Sequence, residues 1–298
     1  MSIIFHTNLR SLPLINRGKV RDNYEISNES ILIITTDRVS AFDEVLKESI
    51  PLKGKILNQL SKFWFRKFNH IVPNHLKKID PELVVFDEEK NQVIGRSVVV
   101  KRLKPIAFEA IVRGYLSGSA WNEYKKKQSV SGILLPNGLK ISEKLPEPIF
   151  TPSTKADIGS NDININFQTM KNKIGKLLAD QIREISINLY LNAANYALGK
   201  GIIIADTKFE FGLDGNENLF LIDEVLTPDS SRFWPIESYT SGIIPISYDK
   251  QFIRDYLKKS SNYNKTKSFP TLSSEVIHKT TEKYCEVYKR LTGDQLEK

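Results

Sequence analysis

The stretch Ile202-Ile203-Ile204-Ala205-Asp206-Thr207-Lys208-Phe209-Glu210-Phe211-Gly212 constrains the fold of this chain more than any other. Its first half is continuously apolar, as in a strand buried on both faces. Its second half alternates, so Asp206, Lys208 and Glu210 project from one face. Asp214-Gly215 is a hairpin-turn signal, and a second strand, 219–225, brings Asp223 back near Glu210.

Around this hairpin (201–211 and 219–225) the pattern is mixed. Strands are predicted at 18–26, 31–36, 82–86, 97–103 and 107–116, forming a small, largely antiparallel sheet. One amphipathic helix interrupts them over 55–69, where Ile56, Leu57, Leu60, Phe63, Trp64 and Phe68 recur at helical spacing. Residues 117–165 are punctuated by glycine and proline and read as loop-rich. A single long helix is expected from about 166 to 198, striped by Ile174, Leu177, Leu178, Ile182, Ile185 and Leu189 and stopped by Gly199 and Gly201. Helices near 249–259 and 273–292 close the chain, the second ending at Gly293. The expected class is α+β in two lobes, 1–116 and 117–298.

Composition narrows the function. A chain of 298 residues is long enough for two domains at about 150 residues each. No apolar run approaches the roughly 18 residues of a membrane span, and the N-terminus lacks the basic head and apolar stretch of a secretory signal. The single cysteine, Cys285, excludes an internal disulfide and a cysteine-based zinc cluster. It shares a helical stripe with Ile277, Tyr284 and Tyr288 and reads as packing. The histidines at 6, 70, 75 and 278 have no metal-ligand spacing. A cytoplasmic protein is expected. The net charge of +8 favours anionic partners: nucleic acid, acidic membrane or phosphorylated small molecules. The densest run, Lys125-Lys126-Lys127, reads as a solvated helix face.

Five segments could carry chemistry. Glu210 and Asp223 on adjacent strands beside Lys208 suit a Mg²⁺ that also holds substrate phosphates, while an exposed face of cross-strand ion pairs would show the same residues. Gly18-Lys19-Val20-Arg21 places a glycine and basic residues at the start of a strand, where backbone amides can approach phosphates, although an ordinary turn reads alike. Glu109 and Arg113 share a strand face, and Ser117-Gly118-Ser119 then caps a helix, giving either an anion site or a plain N-cap. Thr35-Thr36-Asp37-Arg38-Val39-Ser40-Ala41-Phe42-Asp43 is a polar cluster at a strand end that turn chemistry alone could explain. Phe150-Thr151-Pro152-Ser153-Thr154-Lys155-Ala156-Asp157 is a loop whose lysine and hydroxyls could meet an acidic substrate or only solvent.

Taken together, these segments resemble one family, phosphoribosylaminoimidazole-succinocarboxamide synthase (SAICAR synthetase), in its longer single-chain form. The resemblance rests on Gly18-Lys-Val-Arg-Asp-Asn-Tyr24, Thr36-Asp-Arg-Val-Ser-Ala-Phe-Asp43, Phe150-Thr-Pro-Ser-Thr-Lys155, Asp206-Thr-Lys-Phe-Glu-Phe-Gly212 and Asp223-Glu-Val-Leu-Thr-Pro-Asp-Ser-Ser-Arg232, in the family's order. One departure stands out: Asn161-Asp162-Ile163-Asn164 replaces the His-Asp-Glu-Asn common in the longer form. The resemblance implies a kinase-like N-terminal nucleotide-binding lobe, a larger α/β C-terminal lobe and ATP in the cleft between them. It implies ATP- and Mg²⁺-dependent joining of carboxyaminoimidazole ribonucleotide (CAIR) to L-aspartate in purine biosynthesis, through an acyl phosphate.

By resemblance, Glu210 and Asp223 would hold the metal on ATP, and Gly18, Lys19, Val20 and Arg21 would cover the phosphates. Lys101 lies in the stretch expected to meet the adenine. Lys208 and Asp206 would act in catalysis. Glu109, Arg113, Ser119, Asp229 and Arg232 would bind the ribonucleotide, and Lys155, Asp37 and Ser40 the aspartate. No nucleic-acid or membrane partner is expected; the sequence is compatible with a monomer and does not set the oligomeric state.

Two other classes remain in view. A kinase would need similar phosphate and metal groups, but the His-Arg-Asp and Asp-Phe-Gly pair is missing, and a kinase would not consume aspartate. A nucleic-acid-binding protein would account for the charge but not for Asp206, Glu210 and Asp223 on one hairpin.

Overall fold

A computed structural model describes residues 3–42, 44–155, 163–248, 250–259 and 270–296. By internal contacts the chain divides into two compact units, neither continuous in sequence. One comprises Met1–Lys67, Asn74–Lys104 and Tyr248–Lys298; the other comprises Phe68–Pro73 and Pro105–Ser247. A single boundary at 116 does not describe this division. Phe108–Tyr115 is hydrogen-bonded into the second unit by Ile202–Leu213, whereas the closing helices Gln251–Lys259 and Ser274–Thr292 belong to the first.

The first unit is built on an antiparallel sheet in the order Leu14–Arg17, Arg21–Ser27, Ser30–Thr35, Ser97–Lys101. Leu9, Tyr24, Leu32, Ile34, Val93 and Val99 form one apolar cluster there. A separate two-stranded ribbon, Arg38–Ala41 with Glu44–Ser49, shares a second cluster with the closing helices through Val39, Leu46, Ile253, Leu257 and Val276. The expected strand at 82–86 is not formed. Asp80 caps a 3-10 turn, Pro81–Leu83, by accepting from the Glu82 amide, and Pro81 has no N–H to give a ladder. The strand Leu14–Arg17 went unforeseen because all its residues are exposed, so no apolar alternation announces it.

In the second unit, Ile202–Leu213 pairs with Phe108–Tyr115, Leu219–Ile222 and Ser231–Pro235. Phe108–Tyr115 pairs in turn with Lys144–Phe150. Ile202, Ile203, Ile204 and Ala205 are all buried, as the apolar run requires. The α+β expectation holds, but the long helix is two helices, Phe167–Ile174 and Lys176–Leu198. Gly175, with φ +86°, takes a backbone shape that costs other residues dearly and breaks the axis. Leu177, expected on the core stripe, is 86% exposed; Ile182 and Leu189 are buried as expected, joined by Ala179, Ser186 and Tyr190. Among the described residues, no helix is long and apolar enough to cross a membrane.

One buried group couples this fold to pH. His75 is nearly enclosed, its ring 5.2 Å from that of Phe65, and its Nε2 has no hydrogen-bond partner. Burial, with Arg21 adding repulsion, pushes its pKa down to about 3. An unfolded histidine titrates near 6.5, so between these values the unfolded chain binds a proton that the folded chain does not. Stability from this group is therefore complete above pH ~6.5 and drains away as pH falls toward ~3. We expect His75→Leu to abolish up to about 1.4 kcal/mol per pH unit of acid destabilisation in that window. Urea midpoints from pH 4 to 7 would read it; equal slopes for parent and variant would exclude His75 as the cause.

Candidate active site

The strand Ile202–Leu213 carries two clusters of opposite character on one face. Register sets Asp206 opposite Arg113 on one neighbouring strand and opposite Arg232 on the other. Opposed residues of antiparallel strands share a face, so both guanidinium groups reach the same carboxylate. Asp206 Oδ2 accepts from Arg113 Nη1 (3.3 Å), from Ser117 Oγ (3.1 Å) and, at short range, from Arg232 Nη1. Arg113 is almost wholly buried and also donates from Nε to Thr151 Oγ1 (2.9 Å) and from Nη2 to Ser119 Oγ (3.3 Å). Burial lowers its pKa, and Asp206 opposes that loss while Arg232 adds to it. Two arginines around one aspartate leave a net positive pocket.

Local backbone chemistry lets Arg232 in. Gly118 has φ +57°, and a Cβ there would lie 2.4 Å from Arg232 Nη2. Ser117 is the N-cap residue of the helix Gly118–Lys127, yet its side chain makes no capping bond because its hydroxyl serves Asp206. This corrects the expected side-chain cap at 117–119. Ser117 and Thr151 were not foreseen as site residues; both lie inside motifs that were recognised, but nothing in spacing shows which hydroxyl meets which charge.

Two residues along the same strand the character reverses. Lys208 Nζ lies 2.5 Å from Glu210 Oε1, 3.0 Å from Glu109 Oε1 and 4.0 Å from Asp223 Oδ2. Lys155 Nζ takes the other Glu210 oxygen at 2.5 Å. Burial works against the Lys208 charge, but Glu210, Asp223 and Glu109 outweigh it and hold its pKa well above the usual lysine value. The lysine keeps 26% of its side-chain surface exposed. Asp223 sits just beyond Leu219–Ile222 with φ +63°, and Leu226 follows with φ +54°. Left-handed backbone at a non-glycine residue costs energy and gathers at functional sites. Asp229 is half-buried, its amide donating to Thr227 Oγ1, and Thr227 Oγ1 donates to Glu224 Oε2 (2.6 Å).

The remaining candidates lie in the first unit. Gly18 and Lys19 are exposed and Val20 is buried in the turn joining Leu14–Arg17 to Arg21–Ser27; Arg21 opens the second of these strands. Lys101 ends Ser97–Lys101 and is exposed, its amide bonded to the His75 carbonyl. Ser40 is buried within Arg38–Ala41. Asp37 is fully buried, and its carboxylate accepts from the amides of Ile4 and Gly54 and from Arg96 Nη1. Its acceptors are spent inside the fold, which corrects its expected contact with aspartate. Asp43, Asp157, Asn161 and Asp162 lie outside the described residues.

For Mg²⁺ the donor set is suitable. The metal prefers oxygen and commonly takes one or two protein carboxylates with substrate phosphates. Glu210 and Asp223 provide two around one lysine, and among the described residues no cluster of three or more ligating side chains forms a closed cage.

Known proteins match the chain along its whole length. The SAICAR synthetase family matches residues 14–270. The phosphoribosylaminoimidazole-succinocarboxamide synthase of Cupriavidus necator is 56% identical over 298 residues, covering 99% of each chain. The SAICAR synthase of Saccharomyces cerevisiae, solved with SAICAR bound, superposes with a TM-score of 0.90 at 43% identity, covering each chain fully. A SAICAR synthetase solved with ADP gives a TM-score of 0.72 at 26% identity, covering 96% of this chain and all of that one. Match along the whole chain, in sequence and in fold, assigns the protein to the SAICAR synthetase family.

Proposed function

We propose that the protein joins CAIR to L-aspartate at the expense of ATP, giving SAICAR, ADP and phosphate. The observation that carries the reading is the polarity of one strand: a positive pocket at Asp206 and a carboxylate-rich cluster at Glu210. Four residues of strand separate them by about 13 Å. An extended ribonucleotide needs such a pair, with its phosphate held at one end and its reacting carboxylate at the other. Relatives solved with SAICAR and with ADP agree in ligand chemistry.

In this reading the CAIR carboxylate attacks the γ-phosphorus and the bond to ADP breaks. The aspartate amine then attacks the acyl carbon, phosphate leaves with one former carboxylate oxygen, and the nitrogen gives up protons. Lys208 lowers the charge around the moving phosphoryl group, and Glu109 and Glu210 aim it. Arg113, Ser119 and Arg232 hold the ribonucleotide phosphate, with Asp206 positioning both arginines, and Asp229 orients Arg232 or the ribose. In the first unit, the turn at 18–21 covers the ATP phosphates and Lys101 lies toward the adenine side. Lys155, which stands on Glu210, serves the aspartate. Mg²⁺, held by Glu210 and Asp223, would neutralise phosphate charge.

Incubation with ATP, Mg²⁺, CAIR and L-aspartate, omitting each in turn, tests the reading. ADP release should require all four; steady release without aspartate would overturn it. Arg232→Lys keeps the charge but loses the planar fork. We expect ribonucleotide binding to weaken roughly ten- to hundredfold while ATP affinity holds. Weakened ATP binding instead would move Arg232 to the nucleotide.

A further inference from the structure

The Thr36-Asp37-Arg38 segment faces inward, toward the back of the turn at 18–21. Arg38 is 2% exposed. Its Nε donates to the Lys19 carbonyl (3.1 Å), and its Nη2 donates to the Gly18 carbonyl (3.1 Å) and to Asp22 Oδ1 (2.7 Å). Nη1 donates to the Phe5 carbonyl (2.5 Å). The Val20 carbonyl accepts from the Thr36 amide (2.9 Å) and from Thr36 Oγ1 (2.8 Å), and the Arg21 carbonyl accepts from the Gly18 amide (2.7 Å). Every carbonyl from 18 to 21 is thus engaged by the protein itself. Asp22 aims the guanidinium and is fixed in turn by the Thr7 amide and hydroxyl.

The physical need is plain. A carbonyl oxygen is the negative edge of the backbone, and a turn that meets phosphates must keep that edge turned away. Only the planar, five-donor guanidinium can hold several carbonyls and a carboxylate together; an ammonium has three donors and no fixed plane.

We propose that Arg38 is a positioning residue for ATP, holding the carbonyls of Gly18 and Lys19 on the inner side of the turn so that its outer side receives the phosphate chain. This rests on the reading of the 18–21 turn as phosphate cover, and the test separates the two.

Calorimetry would compare ATP and adenosine, which has no phosphate, on the parent, Arg38→Lys and Lys19→Met. Arg38→Lys should weaken ATP by about tenfold or more, equivalent to at least one lost charged hydrogen bond, and leave adenosine nearly unchanged. Equal weakening of both ligands would show a purely structural role and overturn the proposal. If Lys19→Met weakens ATP while Arg38→Lys binds as the parent does, the turn still covers phosphates but Arg38 does not position it. If neither variant changes ATP binding, the phosphate-cover reading fails and the proposal falls with it. Should Arg38→Lys not fold, Arg38→Gln with Asp22→Asn removes both buried charges together, so neither is left unpaired, and is judged by the same comparison.

Discussion

Glu210→Gln is expected to lower turnover by about two to three orders of magnitude while leaving the fold in place. The carboxylate is buried, with Lys208 on one oxygen and Lys155 on the other. An amide can offer an oxygen to only one of them and turns an N–H₂ toward the other, so one ammonium loses its partner. It also lacks the charge that a magnesium ligand supplies. Two readouts separate these effects. The Mg²⁺ concentration for half-maximal rate should rise, and ribonucleotide binding at the arginine pocket should not change. Turnover within a few-fold of the parent at unaltered Mg²⁺ demand would remove Glu210 from the metal.

The hairpin was legible because its chemistry and its periodicity coincide. The run Ile202-Ile203-Ile204-Ala205 announces burial, and alternation from Asp206 onward assigns a face without any knowledge of the partner strands. What those carboxylates touch was not legible. Arg113 and Arg232 lie 93 and 26 residues from Asp206 in sequence, and only the register of two antiparallel pairings sets them across one oxygen. Asp206 therefore read as a catalytic group, whereas geometry makes it the anchor of two arginines.

Thr36-Asp37-Arg38 shows the same limit in another form. A polar run at a strand end looks like a surface that meets substrate, yet Thr36, Asp37 and Arg38 are all buried. Their work is to satisfy backbone groups from distant turns, and burial of a polar side chain is invisible until its partners are known. Backbone breaks were hidden for a different reason. The apolar stripe continues past Gly175, so periodicity alone carried one helix through a residue whose φ is +86°.

Lys208→Met should produce the largest loss of chemistry, and isotopic labelling shows where. If the CAIR carboxylate becomes an acyl phosphate, ¹⁸O placed in that carboxylate must appear in inorganic phosphate. Removing the ammonium takes away a cation that reaches all three of Glu109, Glu210 and Asp223, leaving Lys155 on a single Glu210 oxygen. Two consequences follow from that charge. Single-turnover ADP formation should slow by about a thousandfold, because the moving phosphoryl group meets the carboxylates without the Lys208 charge. Folding stability should drop by about 3 kcal/mol, the cost of breaking a largely buried pair from one side, and saturating Mg²⁺ should restore part of it by taking the vacated charge. A hydrophobic vacancy would show no such rescue. Unlabelled phosphate in the parent would sink the acyl-phosphate route, and normal single-turnover ADP formation in Lys208→Met would take the lysine out of phosphoryl transfer.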